Sequence, residues 1–170
     1  MTLAHLSSQD EQLRRTLLDE AERRGHAVMS VEQDEQGAPY CFTVGAWRRF
    51  GVAEAVVVGL PQEMATVLLG AYVARASAGE AFAPGELHTD FFEGVAVTVE
   101  RVAQAWYPEF FGSAFLLYSK ANFPAVQLIV PTPDGHWPWS DTAPAGFAEW
   151  QQILTESGVP ESWIPGQTGP

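Results

Sequence analysis

Acid–base chemistry needs a carboxylate or an imidazole held where its pKa can be moved, and this chain offers few such groups. Glu54 stands immediately before the apolar run Ala55-Val56-Val57-Val58. At the start of a strand, burial would raise its pKa toward the range of a general base. With His26 or His136 it would form an acid–base couple; with Arg48 or Arg49 it would form a structural ion pair, which perturbs a carboxylate just as readily. His88 and Asp90 are two residues apart in an extended stretch and project to one side. With His136 and Glu93 they would supply donors for a metal, but the spacing carries no metal signature, and no metal or other cofactor is expected. Cys41 is the single cysteine, which excludes an internal disulfide. A dyad of Cys41 with His26 would need a lowered thiol pKa for which no neighbour argues, so Cys41 reads as a small core residue. The chain contains no phosphate-binding loop, nucleophile elbow or dinucleotide fingerprint.

Aromatic residues suggest recognition more than catalysis. Trp137-Pro138-Trp139 follows the turn Thr132-Pro133-Asp134-Gly135, and the proline stiffens the pair so that two indoles would either line one groove or form a hydrophobic lid that seals the sheet. Arg48, Thr43, Gln127 and Glu54 would add a few polar groups to that apolar cleft. Gln127 lies within the strand-like run Val126 to Val130, where a buried amide must find partners, either in a ligand or in a loop tied to the sheet. The reading is a binding or interaction module with an aromatic-lined cleft for a protein segment or small molecule. The alternative is a small enzyme, a hydrolase for example, that uses Glu54 with a histidine.

These residues must be positioned by a mixed set of elements. Ser8-Gln9-Asp10-Glu11 is a capping-box pattern, and Leu13, Leu17 and Ala21 recur at helical spacing until Gly25 closes the segment. Ala27, Met29 and Val31 alternate, Asp34 to Gly37 supplies turn chemistry, and Tyr40 to Val44 resumes an extended pattern, which predicts a hairpin. A loop carrying Trp47 to Phe50 then leads to a strand apolar on both faces, as an interior strand would be. Pro61 opens a helix with Met64, Leu68 and Tyr72 on one stripe. Glu80 to Thr89 reads as a loop, Val95, Val97 and Val99 as a strand, Tyr107 to Tyr118 as a short aromatic helix and Val126 to Val130 as a strand. Phe147, Trp150, Ile153 and Leu154 fit a last helix. The expectation is a single α+β domain over residues 1–157, with a mixed, mostly antiparallel sheet of about five strands under three or four helices. Residues 158–170 read as a tail rich in proline and glycine.

Composition is globular, with 46% hydrophobic and 18% charged residues. The net charge is −12, and after Arg75 only Arg101 and Lys120 are basic. Such a field disfavours nucleic acid and anionic lipid as partners. No apolar stretch is long enough for a membrane-spanning helix. With no secretory signal in its first residues and a single cysteine, the expected location is the cytoplasm. Oligomeric state is not legible.

Several segments in order resemble a known family: Arg24-Gly25-His26-Ala27-Val28, Phe42-Thr43-Val44-Gly45, Glu54 to Pro61, Val126-Gln127-Leu128 and Gly135 to Trp139. Together, over roughly residues 20 to 141, this set is similar to the bacterial domain of unknown function 4262. The resemblance implies a fold and a candidate surface but no reaction. The usual Gly-Trp of that family stands here as Gly25-His26, and the cysteine pair near the N-terminus of many relatives is missing.

Overall fold

The structure is a computed structural model that describes residues 8–35, 37–118 and 122–162. Helix α1 (Ser8–Arg24) buries Leu17 and Ala21 and stops where Gly25 takes a left-handed φ of 89°, its N–H bonded to Ala21 O. Strands β1 (Ala27–Val31) and β2 (Tyr40–Val44) form the expected hairpin. The stretch expected to be a loop after Gly45 is instead a short helix, α2 (Ala46–Phe50). Its start is capped from a distant strand, so no local pattern marks it.

Strand β3 (Glu54–Val58) is buried throughout. Helix α3 (Gln62–Ser77) follows Pro61 and buries Ala65, Leu68, Leu69, Tyr72 and Val73. Strand β4 (Leu87–Phe92) occupies the end of what reads as a loop. It is an edge strand with no fully buried residue, and His88 and Asp90 interrupt the apolar alternation that would have marked it. A turn at Glu93-Gly94 leads into β5 (Val95–Arg101). The aromatic segment is not one helix: the four residues of α4 (Tyr107–Phe110) lie between 3-10 turns at Gln104–Trp106 and Gly112–Leu116. Strand β6 (Ala125–Ile129) and helix α5 (Phe147–Trp150) complete the set.

The fold is α+β, with one six-stranded sheet in the order β1-β2-β3-β6-β5-β4. Only β3 and β6 pair in parallel; the other neighbours are antiparallel. The sheet separates two apolar layers because side chains alternate between faces. Ala55, Val57, Val97, Val99, Val126 and Leu128 pack under α3. Phe42, Val44, Val56 and Val58 face the other layer, with Leu17 of α1 and the aromatic cluster Tyr107, Phe110, Phe111 and Phe123. Double-sided burial of β3 is the expectation stated above for an interior strand.

The last expected helix ends early. After Trp150 the chain leaves helical geometry and runs against β6 through two buried glutamines. Gln151 accepts from Val130 N–H (3.0 Å) and donates to Val130 O (2.6 Å). Gln127, one of the residues expected to line a cleft, donates to Gln152 O and accepts from Leu154 N–H, both at 2.8 Å. Glu100, paired in register with Gln127, accepts from Glu161 N–H at 3.1 Å and from the Ser162 hydroxyl. Glu161 and Ser162, in the described start of the expected tail, therefore lie against β5.

Candidate functional site

Glu54 is completely buried, and hydroxyl and amide donors surround its carboxylate rather than a guanidinium. Oε1 accepts from Thr43 Oγ1 (2.7 Å) and Ala46 N–H (3.2 Å); Oε2 accepts from Gly45 N–H (2.9 Å), Trp47 N–H (3.3 Å) and the Tyr118 hydroxyl. Tyr118 Oη in turn accepts from Arg48 N–H, and Thr43 Oγ1 from Ala55 N–H. These groups satisfy the opening amides of α2, which have no partner within the helix. Desolvation pushes the Glu54 carboxyl above its ordinary range, while the bonds from Tyr118, Thr43 and the amides of Gly45 and Trp47 pull it back. Burial, and then the nearby Glu54 charge, push both Tyr72 and Tyr118 far up as well, so these phenols stay protonated.

Gly45 makes this arrangement possible. Its φ is 103°, and a Cβ there would lie 2.8 Å from Ala21 Cβ of α1. Gly45→Ala combines backbone strain with a clash, and we expect it to cost about 1–3 kcal/mol, read as a lowered urea midpoint. An unchanged midpoint would show that α1 yields freely at this contact.

The histidines lie elsewhere. His26 precedes β1; burial, and then Arg24, push its pKa down, and its Nδ1 has no hydrogen-bond partner among the described residues. Cys41 sits opposite Ser30, toward the far end of the hairpin from His26, and its thiol donates to Ser30 Oγ at 3.3 Å. Burial pushes that thiol up, the wrong direction for a nucleophile. His88 packs against Phe82 and Phe91, Asp90 bonds Arg75 at 3.3 Å, and His136 Nδ1 lies 2.8 Å from Thr142 Oγ1. Among the described residues no three His, Cys, Asp or Glu side chains converge as a metal site would require.

Residues expected to share one cleft are divided between the two ends of the sheet. Glu54, Thr43 and the backbone of Arg48 meet at the start of β3. Trp137 and Trp139 follow the opposite end of the parallel strand β6, their rings stacked at 5.3 Å and 5°. Trp137 lines a groove of about 280 Å³ with Leu87, Val95 and Pro131. Gln127 is engaged by the C-terminal segment.

A different concavity, of about 380 Å³, opens between the β1–β2 turn, α4 and α5. Tyr40, Phe110 and Trp150 wall it, and Glu32, Asp34, Glu109 and Glu149 line its rim. The Tyr40 and Phe110 rings meet edge to face at 4.8 Å, and the Tyr40 hydroxyl donates to Glu109 O at 2.9 Å. Burial, then the charges of Glu109 and Asp34, push the Tyr40 phenol up. Trp150 Nε1 donates to Gly59 O at 2.8 Å. Gly59 has a φ of 84°, and a Cβ there would lie 3.0 Å from the indole, so a glycine is what lets Trp150 lie against the end of β3. Reading the sequence gave Asp34 only a turn role and missed the cleft, because its walls come from segments near residues 32, 40, 110 and 150. The excess of acidic residues was the available signal.

Fold and site together describe an α+β protein whose buried carboxylate fixes one end of the sheet and whose acidic, aromatic-walled cleft opens at the other. The family described as Domain of unknown function (DUF4262) matches residues 20–144, and the chain belongs to that family. Neither the comparison with curated proteins nor that with solved structures found a match. The matched residues include Thr43, Gly45 and Glu54 but stop short of Trp150. Among the described residues no helix is long and apolar enough to cross a membrane.

Proposed function

We propose that this chain is a binding module whose cleft at Tyr40, Phe110 and Trp150 takes up a positively charged organic group. The observation that carries this reading is the combination of three aromatic walls with four rim carboxylates in one concavity of about 380 Å³, within the size range of small-ligand sites. A cation over an aromatic face gains about 0.5–2 kcal/mol, and carboxylates add charge-assisted hydrogen bonds. The net charge of −12 supplies a field that draws cations inward.

Titration with spermidine, an arginine-containing peptide and glutamate, followed by NMR, tests it. We expect the two cations to move the indole signal of Trp150 and glutamate to leave it in place. Trp150→Ala, at a residue 38% exposed, should weaken cation binding about tenfold without unfolding the chain. Equal response to glutamate, or unchanged affinity in the variant, would overturn the reading. Movement confined to Trp137 and Trp139 would relocate the ligand to their groove, a second binding reading favoured by the stacked pair. The enzyme reading has less support, since both Glu54 oxygens are occupied by donors and no histidine is among its partners.

A further inference from the structure

A third concavity differs from the acidic cleft in its lining and its charge. It has a volume of about 560 Å³ and lies between the loop at residues 81–84, the ends of β3 and β6 that carry Ala53 and Ala125, and the chain leaving β5. Ala53, Phe82, Pro84, Val102, Pro124 and Val126 give it an apolar surface. Several backbone carbonyls around it are already engaged. Ala53 O accepts from the Tyr72 hydroxyl at 2.9 Å, and the Tyr107 hydroxyl donates to Phe123 O at 3.0 Å. Pro124 O accepts from Glu54 N–H, and Ala125 O from Val102 N–H, both at 3.0 Å. A ligand there would meet hydrocarbon, with the amide of Gln104 beside it.

The charge at this groove is Arg101, which lines it and forms no ion pair with any described residue. The other arginine nearby, Arg75, is held by Glu80 and Asp90 and lies over the rings of Phe82, at 5.2 Å, and Phe91. Its Nε and Nη2 are thus engaged by carboxylates, and it does not line the groove. In a chain of net charge −12, anions are repelled unless a local cation receives them. A planar guanidinium matches a carboxylate with two parallel hydrogen bonds.

We propose that this groove binds a small amphipathic carboxylate, with the hydrocarbon body against Phe82, Val102 and Pro124 and the carboxylate on Arg101. The site is independent of the acidic cleft and prefers the opposite charge.

Calorimetric titration with decanoate, decanol and decyltrimethylammonium tests the assignment on the full chain. The expected order has decanoate tightest. Arg101→Gln, at an exposed position, should weaken decanoate about tenfold, the scale of a lost charge-assisted bond, and leave decanol unchanged. Trp150→Ala should leave decanoate binding intact, which separates failure here from failure of the acidic cleft. Decanoate binding no tighter than decanol, the same decanoate affinity in Arg101→Gln, or no binding of decanoate at all would each overturn the proposal.

Discussion

Glu54→Gln should destabilise the protein by about 1–3 kcal/mol, the cost of leaving a buried donor without its acceptor. The carboxylate accepts five hydrogen bonds, three of them from backbone amides that cannot turn into acceptors. A glutamine keeps one oxygen and sets an NH₂ group against the remaining donors, so whichever way the amide turns, buried N–H groups lose their partner. Urea denaturation would read the loss. The penalty should also depend on pH. Glu54 has a folded pKa above its ordinary 4.5, so protonation favours the folded state. The stability due to this group is fully present below 4.5 and is lost as pH rises through the raised value. The gap between wild type and Glu54→Gln should therefore narrow as pH increases. A gap that widens with pH would show that the donors outweigh desolvation and hold the carboxylate ionised.

That network also shows where local reasoning stops. The strand at Glu54, the apolar character of its two faces and the hairpin before it are all legible, because alternation and turn chemistry act over a few residues. The need for Glu54 to be buried or paired is legible as well. Its partners are not: Arg48 or Arg49, a few residues back in the sequence, is the obvious counter-ion, yet the structure uses the backbone of Gly45 to Trp47 and two hydroxyls. The opening amides of helix α2 are held by a carboxylate outside the helix, so a reading confined to Trp47-Arg48-Arg49-Phe50 finds only a loop. Strand β4 escaped for a different reason. An edge strand buries little on either face, and His88 and Asp90 face surroundings that a sequence pattern does not record.

The candidate site was less legible than the fold. Aromatic residues in a compact motif, Trp137-Pro138-Trp139, attract attention because they are adjacent in sequence, whereas Tyr40, Phe110 and Trp150 are separated by whole elements. Gly59 could be seen only as the end of a strand. In the structure it is the surface on which Trp150 rests. Charge carried more information than motif: the acidic excess after Arg75 contributes Glu109 and Glu149 to the rim, and the chain's scarce basic residues leave Arg101 conspicuous in an apolar groove.

Gln127→Leu should cost about 2–6 kcal/mol, because it leaves Gln152 O and Leu154 N–H without their buried partner and each such group costs about 1–3 kcal/mol. The leucine would be apolar and of similar size, so a pure packing account predicts little change or a gain. The two glutamines act across the same junction in opposite directions: Gln127 of β6 holds the backbone after α5, and Gln151 after α5 holds the backbone at the end of β6. Once either clamp is lost, the segment is freer to move off the strand, and the other clamp holds less. Gln127→Leu with Gln151→Leu should thus cost less than the sum of the two single variants. Hydrogen exchange at Leu154 and Ala103, whose N–H donates to Leu154 O at 2.8 Å, would report the loosening directly. Additive costs with unchanged exchange would mean that apolar contacts of Ile153 and Leu154, both buried, hold the segment by themselves. Trp150 lies at the start of this segment, so loosening it would also be felt at the acidic cleft, where weaker cation binding in Gln127→Leu would tie the strap to recognition.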